Sequence, residues 1–74
     1  MSRKNQHVVP HKDGWAVKPA GAKKPTNVTS TQGEAIGIAR DRARRQQSEL
    51  LIHNKKGRIR DRDSYGNDSF PPKG

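Results

Sequence analysis

The 74-residue chain predicts a two-layer α+β fold, β-β-α-β-β, with one helix packed on a small and mainly antiparallel sheet. Three observations carry that expectation. Two segments, one near each end, alternate in the manner of hairpin strands and enclose a glycine-containing turn. Between them lies one segment with a helical start signal and a helical apolar stripe. The remaining residues are too rich in Gly, Pro, Ser and Thr to add a second helix.

Residues 1–6 are polar and are expected to be a disordered N-terminus, with a single domain over residues 7–63 and an irregular tail over 64–74 partly packed on it. In "HVVPHKDGWAVK", Val8 and Val9 are β-branched, Trp15 and Val17 alternate, and Gly14 suits a tight turn. Pro10 lacks a ladder donor and therefore belongs at an open edge or a strand end. "PAGAKKPTNVTS" reads as a connection, with at most a short extended piece around Val28.

Thr31 followed by Glu34 is a capping-box arrangement, in which each side chain satisfies an amide left free at a helix start. The stripe Ala35, Ile36, Ala39 and Ala43, with Ile38 beside it, is narrow and built largely of small residues, so the helix can lie close on a sheet. Gly33 and Gly37 lower its intrinsic stability. In the second hairpin, Glu49–His53 go out, "NKKG" turns, and Arg58–Asp63 return. Strict alternation puts Ile59 and Asp61 on one face, Ile59 as the core anchor, and Arg58, Arg60 and Arg62 on the other. Tyr65 and Phe70 are the residues that would hold the tail against the core.

This pattern resembles the small bacterial proteins of domain-of-unknown-function family 2188 over residues 7–73. The residues that carry it are Val9-Pro10 with Gly14-Trp15, Glu49-Leu50, Gly57 with Ile59, and Tyr65-Gly66 before Asp68. Family members often place a proline straight after that aspartate, where this chain has Ser69. The resemblance implies a small stand-alone domain with no established activity.

Composition narrows the chemistry. Hydrophobic residues make up only 27% of the chain and the aromatics are Trp15, Tyr65 and Phe70, so the core is small and self-association is one route to stability. There is no cysteine, which excludes disulfides and thiolate metal sites. No apolar run approaches a membrane span, and Met1-Ser2-Arg3-Lys4 leads into polar residues, so a cytoplasmic protein of a bacterium or phage is expected, without membrane attachment.

No metal or other cofactor is expected. His7 and His11 on one strand lie about 13 Å apart, too far to share an ion. His53 meets His11 only if the two hairpins pair suitably. Asp61, Asp63 and Asp68 each have simpler roles in local charge compensation than in a magnesium site. Ser30, Ser48, Ser64 and Ser69 stand in no nucleophile motif, and "TSTQGEA" lacks a phosphate-loop lysine. The chain reads as non-enzymatic, with no small-molecule substrate.

The basic residues are the strongest functional clue. Net charge is +9, from 16 Lys and Arg against 7 Asp and Glu. Arg58, Arg60 and Arg62 on a strand would recur every ~6.6 Å, comparable with phosphates along an extended strand. Lys55 and Lys56 occupy the turn, and Arg40, Arg44 and Arg45 line the solvent side of the helix, on the opposite layer. Two readings follow. The first is a nucleic-acid-binding module (DNA or RNA) working through phosphate contacts with low sequence specificity. The second is a structural or interaction module working as a homodimer, with Val9, Leu51 and Trp15 at a surface completed by another copy. Trp15 on an open sheet face would stack a base, whereas Trp15 under the helix would serve the core.

Overall fold

A computed structural model describes residues 4–65. The elements run β1 (Gln6–His11), β2 (Gly14–Pro19), β3 (Asn27–Thr29), α1 (Gln32–Gln46), β4 (Glu49–His53) and β5 (Ile59–Ser64). They form one helix on a five-stranded sheet of order β3-β2-β1-β4-β5. The two-layer α+β expectation holds, with two additions. The extended piece around Val28 is a true edge strand, and β1 pairs with β4 in parallel while the other three pairings are antiparallel. The parallel pairing joins residues more than forty positions apart, which no local pattern specifies.

Register decides what each face carries. Val8 lies opposite Val17, and in the parallel pair Gln6 and Val8 align with Leu50 and Ile52. These residues point toward the helix, where Val8, Val17, Leu50 and Ile52 close on Ala35, Ala39 and Ala43 to form the core. Each of the three alanines is fully buried. Their small side chains let the helix settle on β1, β2 and β4. Trp15 lies opposite Pro10 on this same side and packs half-buried against the core, so it is not a stacking platform on the open face. Tyr65 packs there as well, as expected, whereas Phe70 lies outside the described residues.

Local chemistry explains the element ends. Thr31 caps the helix in extended conformation, its hydroxyl accepting from the Glu34 amide at 3.2 Å. The Glu34 carboxylate accepts from the Ser30 hydroxyl, so the box closes one residue earlier than the motif suggests. At the other end Gln47 takes the left-handed conformation (φ 53°), and the Ser48 amide reaches back to the Ala43 carbonyl. Pro10 sits past the end of the β4 pairing, which stops at Val8, so its missing N–H breaks no rung on that side.

The fold begins slightly before residue 7. Gln6 is buried in β1, and the Asn5 carboxamide accepts the Glu49 amide at 3.0 Å. The β1–β2 turn requires glycine at position 14. Its φ is +134°, and a Cβ there would fall 2.2 Å from the Thr29 carbonyl oxygen. No helix among the described residues is long and apolar enough to cross a membrane.

Candidate nucleic-acid interface

The candidate site follows the outer edge of the sheet, along β5 and the turn that leads into it. Asn54 organises that turn. Its carboxamide oxygen accepts the amides of Lys56 (2.9 Å) and Arg58 (3.0 Å), and its own amide donates to the Arg58 carbonyl. Gly57 completes the reversal with a left-handed φ of +87°. Lys56 and Arg58 are thereby fixed at the tip through their backbone, and Lys55, Lys56 and Arg58 are all exposed.

The strict alternation expected for β5 does not survive the pairing. Ile52 lies opposite Asp61, but His53 lies opposite Ile59, so Arg60 is an extra residue in a β-bulge. One inserted residue moves everything before it to the other face. Ile59 therefore shares the open face with His53, is 54% exposed, and is not the core anchor. The expected single face of Arg58, Arg60 and Arg62 is divided. Arg58 belongs to the turn and precedes the strand. Arg60 reaches under the helix start and donates to the Gln32 side-chain oxygen at 3.1 Å. Arg62 lies opposite Leu51 on the open face.

The aspartates face the helix side, aligned with Leu50 and Ile52. Asp63 meets Arg40 at 3.9 Å, both half-exposed. The Asp61 carboxylate is turned onto the next amide, that of Arg62, at 2.8 Å. Arg40 is thus not on a separate layer from the strand cations but on the flank beside β5. Arg45 pairs with Asp41 one helical turn away at 3.2 Å, and Arg44 is exposed on the helix. The structure accordingly brings Lys55, Lys56, Arg58, Arg60, Arg62 and Arg40 to one edge and leaves Arg44 and Arg45 apart from it. Among the described residues, Lys55, Lys56, Arg58 and Arg62 have no acidic partner within ion-pair distance.

Two participants carry no sequence motif. Gln32 joins the site through both ends of its amide, donating to the His53 carbonyl at 2.9 Å while accepting from Arg60. It ties the helix start to the hairpin and thereby orients Arg60. The other is the pairing of His7 with His53, whose ring nitrogens lie 2.9 Å apart on the open face. The hairpins do not bring His53 to His11; parallel pairing of β1 and β4 places it beside His7. His11 accepts from the Asp13 amide within its own turn. Burial, reinforced by His53 and Lys18, holds the His7 pKa below its ordinary value.

Comparison with known proteins identifies a family and is silent on activity. Over 59 residues the chain is 37% identical to "Uncharacterized protein YdaT" of Bacillus subtilis (strain 168), an alignment covering 80% of this chain and 39% of that protein. The chain thus spans about two fifths of the length of the curated relative it matches. No solved structure matches it significantly. The family model for uncharacterized proteins conserved in bacteria, DUF2188, matches residues 6–65, from the first residue of β1 to the tyrosine that closes the core, and the chain belongs to that family.

Proposed function

We propose that the protein is a non-catalytic, cytoplasmic nucleic-acid-binding module that holds phosphates along the β5 edge. The observation that carries this reading is the cluster at that edge. Five basic and two acidic residues lie between positions 55 and 63, and four of the cations have no acidic partner among the described residues. Arginine suits the role because its planar fork can take two phosphate oxygens at once. The lysines at the tip act as flexible point charges. Trp15 packs against the core and not on the open face, so contacts to the backbone dominate and sequence preference is low.

The test is a binding titration against single-stranded and duplex DNA and RNA, with a Lys55/Lys56/Arg58/Arg62→Ala variant alongside an Arg44/Arg45→Ala variant. The edge variant should lose at least tenfold in affinity and the helix variant much less. Equal losses would reduce the reading to net charge alone.

Homodimerisation is a second reading, favoured by the exposure of Val28 (46%) and Ile59 (54%). Antiparallel self-pairing of two β5 edges about a two-fold axis would set arginine against arginine and aspartate against aspartate, which is destabilising. A dimer would therefore use the open face or β3. Light scattering over a range of concentrations tests it, and a monomer at all of them would eliminate it.

A further inference from the structure

The two histidines of the open face are joined end to end by hydrogen bonds, and those bonds fix where a further proton goes. His53 Nδ1 lies 2.9 Å from the Gly57 carbonyl oxygen, which can only accept, so that nitrogen carries a proton. His53 Nε2 and His7 Nδ1 lie 2.9 Å apart and share one proton between them. His7 Nε2 is then the ring position left with a lone pair. When the pair takes up a proton, the bond to Gly57 and the bond between the rings both survive only if the new proton sits on His7 Nε2. This holds whichever ring keeps the shared proton, so the two histidines titrate as a unit. Uptake turns one atom, His7 Nε2, from an acceptor into a cationic donor.

That atom is turned away from His53, toward the β2 side of the ring. There Lys18 lies opposite His7, and the two line a depression bounded by the uncharged residues 19–22. The register continues the row across the sheet, with His7 aligned to Leu51 and Leu51 to Arg62. Lys18 and Arg62 thus stand three strand spacings apart, about 14 Å, with the histidines between them. We propose that Lys18 and the protonated His7 hold a backbone phosphate in this depression, so that a nucleic-acid strand gripped at the β5 edge continues past Arg62 across the open face and binds more tightly in acid. The site rests on the nucleic-acid reading of the β5 edge and adds Lys18, His7 and a pH response to it.

The neighbouring charges set the direction of the response. Burial, then the charges of His53 and Lys18, make His7 harder to protonate in the free protein. A phosphate against Lys18 offsets that repulsion and favours the charged ring, so binding raises the pKa of the pair and protonation raises affinity by the same factor. Arg62, in the same row on β5, also opposes the added proton until phosphate is present. Glu49 shares the open face of β4 two residues before Leu51, and its carboxylate works against a phosphate, but the two flanking cations outnumber it. The helix lies on the other side of the sheet, away from the pair. Affinity should be level above the pKa of the complex, rise as pH falls, and level again below the pKa of the free protein.

The experiment measures the affinity of the full chain for a single-stranded oligothymidylate, whose bases do not titrate in the range used, from about pH 8 to about pH 5.5 at fixed low salt. His7→Gln, Lys18→Gln and His11→Gln variants are checked for fold by circular dichroism. The unmodified chain and His11→Gln should bind about threefold more tightly or better at the acid end, and His7→Gln should lose most of that gain. Lys18→Gln should bind more weakly throughout. In the unmodified chain the oligonucleotide should raise the His7 pKa followed by NMR, which keeps the test valid if a variant unfolds. An acid gain undiminished in folded His7→Gln, or a His7 pKa unmoved by the oligonucleotide, would overturn the proposal. So would an equal shift with inorganic phosphate at matched concentration, which would assign the depression to a free anion. Full affinity in Lys18→Gln beside a loss in the Lys55/Lys56/Arg58/Arg62→Ala variant would overturn it while leaving the edge reading intact. Failure of the unmodified chain to bind would sink both.

Discussion

β4 and β5 are the two arms of one hairpin, yet they do opposite work. β4 has Leu50, Leu51 and Ile52 in succession, all buried, because it is flanked by β1 and β5 and covered by the helix. Among the described residues β5 has only β4 beside it; it has no apolar residue after Ile59, and all but one of its residues are exposed. The helix reaches it through side-chain tips alone, at Arg40–Asp63 and Gln32–Arg60. One strand stabilises the fold, and its neighbour is held in place by it with its charges turned outward. The lesson is that so small a core leaves an edge strand free to carry a charge pattern, provided the next strand is buried on both faces.

That contrast can be broken most sharply in the core. Leu50→Ala removes a fully buried side chain from the centre of the cluster and should cost about 2–5 kcal/mol in urea unfolding. Ile59→Ala, in the facing strand, should cost less than about 0.5 kcal/mol because the side chain is exposed. A large loss at Ile59 would show that β5 is packed in a way the bulge forbids. Next in size is Gly14→Ala, where the positive φ and the Thr29 carbonyl both oppose a side chain. It should lose at least about 2 kcal/mol.

Smaller effects sharpen the comparison on the helix. Gly33 and Gly37 are exposed with nothing within 4 Å of a new Cβ, so alanine at each should raise stability by about 1 kcal/mol. Unchanged or lower stability would show that the open strip they form is occupied.

The smallest effect is that of pH. His7 is harder to protonate folded than unfolded, so the unfolded chain binds more protons between the folded pKa and the ordinary value of about 6.5. Stability should rise with pH through that window and level off above it, and His7→Gln should flatten the rise. Thermal unfolding at a series of pH values measures it.

Much of this architecture was legible in the residues themselves. Thr31 and Glu34 mark the helix start, the three alanines mark its buried side, and Gly14 and Gly57 mark the turns. What local pattern could not supply was long-range pairing. The parallel alignment of β1 with β4 brings His53 to His7, a meeting that no spacing in the sequence marks. The bulge at Arg60 was equally hidden, since an alternating sequence carries no mark of the one residue its partner will skip. That single residue moved Ile59 out of the core and divided the arginines between two faces. The arginines that alternation places on one face of β5 are therefore split by the pairing that the strand finds.

The salt dependence of binding tests the central claim most directly. Affinity for a nucleic-acid duplex should be measured from low to moderate salt for the unmodified chain and for the Lys55/Lys56/Arg58/Arg62→Ala variant. If these side chains contact phosphates, the logarithm of the binding constant should fall linearly with the logarithm of salt, with a slope shallower by about one for each contact removed. Identical slopes for the two proteins, or affinity insensitive to salt, would contradict phosphate binding along the β5 edge.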